Sequence, residues 1–317
     1  MAVDFFFVLS GFIMCLIYLN DFQVRGLQAF PSFLMKRVAR IAPLNVAVLL
    51  ALMIAGVVSR AVLKSNIFFD DSTIAFDLPA NLLMLQGLGI GKNLNGPSWS
   101  ISTEFAAYFL FPAFVALMFH SRAVIWRGML LVALGGLCAL AMNAPRLDLA
   151  TDTIATSVAR CFAEFVLGMA AFRGYAYLSR NGRRAGDLTT GLLYAACLAG
   201  LVVRIDLLVA LLCPFVVVAT AMNRGYFARA LSGGVPYSLG LISFSLYLVH
   251  SPLRPLASKL LWTVHPGPVG PLAALSFALI GSLAVIPLAW VCYRAVERPG
   301  RTVVRRWATG WEWRPAS

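Results

Sequence analysis

Five ionisable residues stand inside stretches that are otherwise apolar: Asp4, Glu104, Arg160, Glu164 and His250. An ionisable side chain in such a setting is expensive and marks function by default. Helical spacing groups them with other polar residues. Ser100, Glu104 and Tyr108 lie four apart and share one face, while Ser243, Tyr247 and His250 share another. The chemistry open to these groups is proton handling, in an enzyme or in a proton-coupled transporter. Each also has a structural reading. Glu104 suits a cap or an interhelical ion pair, His250 a hydrogen-bonded packing position, and Asp4 an interface marker. Arg160 and Glu164 are four apart and read as a mutual ion pair. Lys36, Arg37 and Arg40 precede Ile41-Ala42-Pro43. They suit a cytoplasmic anchor, or a phosphate-binding site through the bidentate reach of arginine.

Composition indicates the architecture that carries these groups. Of the 317 residues, 60% are hydrophobic and 12% charged, with a mean hydropathy of +0.82. A soluble domain carries about 45–50% apolar and about 25% charged residues. These proportions exclude a soluble enzyme and a disordered chain, and they predict an all-α, polytopic membrane helix bundle. Nine apolar segments are long enough to span: 3–20, 43–63, 98–119, 128–145, 154–172, 188–203, 206–222, 237–257 and 271–293. The stretch 78–91 is short and glycine-bearing, and suits a re-entrant or interfacial segment.

The net charge of +13 is not a nucleic-acid signal, because the basic residues are sorted by side. Loops 21–42, 120–127, 173–187 and 223–236 and the tail 294–317 hold 18 of the 26 Lys and Arg. The opposite side has Arg60, Lys64, Lys92, Arg146, Arg204, Arg254 and Lys259, together with Asp70, Asp71, Asp77, Asp148 and Asp152. The positive-inside rule makes the first set cytoplasmic, with the C-terminus inside. Nine spans then place Met1 outside, which fits a bundle lacking a preceding helix. Residues 1–300 read as one membrane domain, and 301–317 as a basic cytoplasmic tail. The six cysteines all lie in apolar runs and have no metal-ligand spacing, so they read as small packing residues and no metal is expected.

Four segments in order resemble the acyltransferase 3 family of integral membrane acyltransferases. Asp4-Phe-Phe-Phe-Val-Leu-Ser-Gly-Phe12 is similar to its second-helix motif. Lys36-Arg-Val-Ala-Arg40-Ile-Ala-Pro43 resembles its RxxRIxP segment. Trp99-Ser-Ile-Ser-Thr-Glu104-Phe-Ala-Ala-Tyr108 resembles its WSLSxExxFY segment. Ser243-Phe-Ser-Leu-Tyr247-Leu-Val-His250-Ser-Pro252 resembles its late motif, and Val296-Glu297-Arg298-Pro299 is similar to a family ending. One such motif is weak; four in order over some 250 residues are specific.

The resemblance implies ten helices, the first carrying an Arg and a His treated as the catalytic base. That helix precedes the segment with which this chain begins, so the expected reading is a family member without its first helix. It further implies transfer of an acyl group, commonly acetyl, from cytoplasmic acyl-CoA to a hydroxyl of a surface or exported glycan, a glycolipid or a small molecule. The setting is the cytoplasmic (inner) membrane of a bacterium, and the outcome is O-acetylation or polysaccharide modification. In that reading Arg37 and Arg40 hold the acyl-CoA phosphates. Glu104, Tyr247 and His250 serve proton transfer or acceptor orientation, and Asp4, Ser10, Trp99 and Ser100 line the cavity. No cofactor is bound permanently; acyl-CoA is a substrate. The competing readings are a transporter or flippase and a non-catalytic family member. Against transport, no inverted repeat is evident.

Overall fold

The computed structural model describes residues 2–64, 68–142, 153–264 and 270–309. Arg146, Asp148, Asp152, His265 and Arg314 lie outside them. Among the described residues the regular elements are helices, with one isolated bridge between Ala185 and Asn223. In chain order they are α1 (Ala2–Arg25), α2 (Phe30–Leu63), α3 (Ile74–Leu82), α4 (Ser98–Met118), α5 (Ala123–Met142) and α6 (Ile154–Arg180). Then come α7 (Asp187–Val203), α8 (Asp206–Met222), α9 (Tyr226–Leu231), α10 (Gly234–Val264), α11 (Pro271–Cys292) and α12 (Arg298–Thr309).

Over the described residues each of the nine apolar segments falls on a helix, and α1, α2, α6 and α10 run past their apolar windows. The helix α2 starts at Phe30, with Pro31 in its first turn, where a missing N–H costs nothing. Lys36, Arg37 and Arg40 are therefore helical rather than part of a loop. Among the described residues five helical stretches are long and apolar enough to cross a membrane: Val3–Val62, which takes in α1 and α2, Ser98–Met118, Ala123–Met142, Ile154–Arg180 and Leu275–Val304. The helices α7 and α8 are apolar but shorter, at 17 residues each.

The chain divides into two compact units. Unit 1 comprises Met1–Phe33 and Thr103–Tyr237; unit 2 comprises Leu34–Ser102 and Ser238–Ser317. In unit 1, α6 is the central helix and packs against α1, α5 and α8. It begins at a capping box in which the Thr153 hydroxyl accepts from the Thr156 N–H. Its contact with α1 is unusually close. A Cβ on Gly11 would collide with the Phe165 carbonyl, and one on Gly168 with the Val8 carbonyl. Two backbones approach this closely only where both helices present glycine, the usual means of packing helices in lipid. Aromatic rings fill the space alongside: Phe33 stacks on Phe111 at 5.1 Å between centroids, and Phe22 meets Phe111 edge-on at 5.3 Å. Gly168→Leu is expected to force α1 from α6 and cost about 1–3 kcal/mol. Thermal unfolding in detergent would read this, and a variant as stable as wild type would refute the close crossing.

Unit 2 holds the irregular stretch between α3 and α4. The segment 78–91 does not continue as a helix. It ends α3, makes a short 3-10 turn at Gln86–Leu88, and reverses through Gly89 and Gly91 at positive φ. Buried non-helical backbone needs internal partners. Asn81 supplies several: its amide donates to the carbonyls of Asp77 (2.7 Å) and Lys92 (2.8 Å), and its carbonyl oxygen accepts from the Leu94 N–H (3.1 Å). Gln86 donates to the Ser98 carbonyl, and the Ser102 hydroxyl accepts from the Gly87 N–H at 3.0 Å while donating to the Met84 carbonyl.

Candidate functional site

The two polar stripes found by helical spacing acquire partners. In unit 1 the Tyr108 hydroxyl donates to Glu104 Oε1 at 2.7 Å and lies 3.4 Å from the Ser10 hydroxyl. Carboxylate, phenol and hydroxyl thus form one hydrogen-bonded chain from α4 to α1. Such a chain relays or holds a proton. Glu104 is half-buried, whereas Tyr108 and Ser10 are buried.

A second polar cluster in unit 1 is wholly internal. The Arg160 Nε–H donates to Asp4 Oδ1 (2.8 Å) and to Glu164 Oε1 (3.3 Å), and a terminal guanidinium N–H also donates to Asp4. The pairing of Arg160 with Glu164 follows from their spacing. Asp4 joins them across 156 positions of sequence and is fully buried. All three side chains are at most 7% exposed.

In unit 2 the Tyr247 hydroxyl lies 2.7 Å from the Ser100 hydroxyl and donates to the Pro97 carbonyl at 3.2 Å. Trp99 is half-buried beside Ser100, and its carbonyl presses on Gly87, where a Cβ would lie 2.5 Å away. His250 is exposed, with its ring 5.8 Å from that of Tyr247. Ser243 donates to the Gly240 carbonyl of its own helix. Asn95 donates to the Leu248 carbonyl at 3.1 Å and so fastens the irregular segment to α10.

The basic motif of α2 also finds a partner. Arg40 Nη1 donates to Glu297 Oε1 at 2.6 Å, and its guanidinium lies 5.4 Å from the Phe244 ring centroid. Arg301 pairs with the same Glu297 oxygen, and the Ser245 hydroxyl donates to the other. Glu297 ends a π-helical segment, Tyr293–Glu297, that joins α11 to α12. The wider turn shifts the register between them, a device common at functional sites. Gly300, one turn on, packs against Pro43, where a Cβ would meet the ring. Arg37 lies one turn before Arg40 and is half-buried.

Sequence reasoning missed Glu297 as a site residue. The signal was present, since it is the sole acid in the basic stretch 294–306. It also missed the amides Asn81, Gln86 and Asn95, which stand singly in sequence and meet only in the fold. Among the described residues no group of His, Cys, Asp and Glu is placed to hold a metal ion.

Comparison with known proteins bears on the identity of this arrangement. Acyltransferase MdmB of Streptomyces mycarofaciens is 31% identical over 121 residues, covering 37% of this chain and 28% of that protein. The match thus spans well under half of the relative's length. No solved structure matches. A family profile described as an acyltransferase domain, that of acyltransferase 3, matches residues 1–294 and contains the four motifs whose side chains are described above. Apolar helices and family together point to a multi-pass membrane protein, and the chain belongs to the acyltransferase 3 family.

Proposed function

We propose that the protein is a membrane O-acyltransferase that moves an acetyl group from acetyl-CoA to a hydroxyl of a cell-surface or exported glycan or glycolipid. The observation that carries this reading is Arg40. It is held by Glu297 in a fixed orientation, yet its side chain stays 33% exposed. A guanidinium fixed on one side and open on the other suits a phosphate-bearing donor. By the charge distribution this end faces the cytoplasm, where CoA is found.

In the reaction the acceptor oxygen attacks the thioester carbonyl, the C–S bond breaks, and the acceptor proton passes to a base while the thiolate departs. Arg37 and Arg40 bind the donor phosphates. The Glu104–Tyr108–Ser10 chain handles the proton, and Tyr247, His250, Trp99 and Ser100 orient the acceptor. The protein lies in the cytoplasmic membrane with its C-terminus inside. Arg37→Ala and Arg40→Ala are each expected to weaken acetyl-CoA binding by about 10- to 100-fold, the worth of a charged hydrogen bond of about 1.5–3 kcal/mol. Equilibrium binding to the purified protein in detergent measures this, with Arg204→Ala as a control. Unchanged affinity in both variants would sink the donor assignment.

A further inference from the structure

Unit 1 carries a cavity of about 220 Å³ at its arginine-rich end. It is lined by Tyr175, Ser179, Arg183, Arg184, Met222 and Arg224, among others. Arg183 and Arg184 follow the C-terminus of α6, where Gly182 turns the chain at φ +67°. Arg224 follows α8. The two loops are tied together: the Ala185 N–H donates to the Met222 carbonyl at 3.4 Å, and the Asn223 amide donates to the Ala185 carbonyl at 3.3 Å. Asn223 also binds Asp187 and Thr190 through its amide, and its carbonyl oxygen accepts from Gly225 and Ala228. The three arginines are thus carried on a braced rim rather than on loose loops.

The carboxylate of Asp187 forms no ion pair with them. Asp187 accepts from the Tyr226 N–H (2.9 Å), the Asn223 amide (3.1 Å) and the Phe227 N–H (3.2 Å). These donors hold its carboxyl below the ordinary value. Arg183, Arg184 and Arg224 have no carboxylate within ion-pair distance among the described residues. Three exposed arginines line this recess together with Tyr175 and Ser179, and guanidinium groups are the usual partners of phosphate oxygens. The recess opens to the surface, and its volume of about 220 Å³ suits a phosphorylated headgroup or a small phosphate ester. We propose that this cavity binds a phosphate group, carried by an anionic phospholipid headgroup or by a small soluble phosphate ester, through residues other than the donor arginines Arg37 and Arg40.

The test uses the full chain in nanodiscs of mixed phosphatidylglycerol and phosphatidylcholine, released into native mass spectrometry. The ratio of phosphatidylglycerol to phosphatidylcholine adducts is expected to fall at least tenfold in Arg183→Gln/Arg184→Gln/Arg224→Gln. A control of equal charge loss, Lys64→Gln/Arg122→Gln/Arg204→Gln, should keep the wild-type ratio. Calorimetry with glycerol 3-phosphate in uncharged detergent forms the second arm. Binding there that is lost in the cavity triple, with lipid adducts unaltered, assigns the site to a soluble phosphate. The charge-preserving Arg183→Lys/Arg184→Lys/Arg224→Lys variant guards against misfolding, and an intermediate loss in it supports recognition by the guanidinium fork. If neither arm responds to the cavity triple, or the control triple loses as much, the proposal is overturned.

Discussion

Arg160→Met is expected to destabilise the protein by about 3–5 kcal/mol, the cost of stranding buried charge when one partner of an internal ion pair is removed. Asp4 and Glu164 are both fully buried and both look to Arg160 for hydrogen bonds at 2.8 and 3.3 Å. Methionine fills the space of the arginine stem but leaves two carboxylates facing each other in apolar surroundings. The companion Asp4→Asn/Arg160→Met/Glu164→Gln removes all three ionisable groups together. It should recover most of the loss, because neutral groups of similar volume often replace a buried ion set without cost. Thermal unfolding in detergent reads both. Arg160→Met as stable as wild type would show that the charges do not hold α1 to α6. Activity in the triple variant then separates two roles. Stability and turnover restored together mark a structural ion set; stability restored without turnover marks a proton-handling one.

That cluster also shows what could be read from sequence and what could not. The period of a helix placed Glu164 beside Arg160, because both lie on α6 four residues apart. It could not place Asp4 there, since the pairing depends on how α1 crosses α6 at Gly11 and Gly168. The same limit applies to Ser100 and Tyr247, whose stripes were legible one at a time but whose contact spans 147 positions. Helix existence was plain from apolar length. Helix limits were not, because an apolar window marks only the stretch fit to span, whereas α2 begins well before its window and runs through Lys36, Arg37 and Arg40, which still favour helix. The segment 78–91 was legible as too short to span. The amide network that keeps it ordered was not, because single Asn and Gln residues carry no periodic signal.

Glu297→Gln tests the other ion cluster and bears on the chemistry more directly. The carboxylate is 1% exposed and receives Arg40 at 2.6 Å, together with Arg301 and Ser245. Glutamine keeps the shape but offers the two guanidinium groups an amide in place of a charged acceptor. The expected cost is about 3 kcal/mol, the low end for a broken buried pair, because Arg40 and Arg301 are 33% and 24% exposed and water relieves part of the loss. Arg40→Ala should cost less, since Glu297 retains Arg301, and the two substitutions should be non-additive when combined. Acetyl-CoA affinity then distinguishes two accounts of this end of unit 2. If the donor is attracted by net positive charge alone, removing one negative charge raises affinity. If it is recognised by an arginine held in a fixed orientation, releasing Arg40 from Glu297 lowers affinity despite the gain in positive charge, because the side chain must then be ordered at the expense of binding. The geometry, with one face of the guanidinium fixed and a third of the side chain open, predicts the fall, and a rise would return Arg40 to the role of an anchor at the membrane surface.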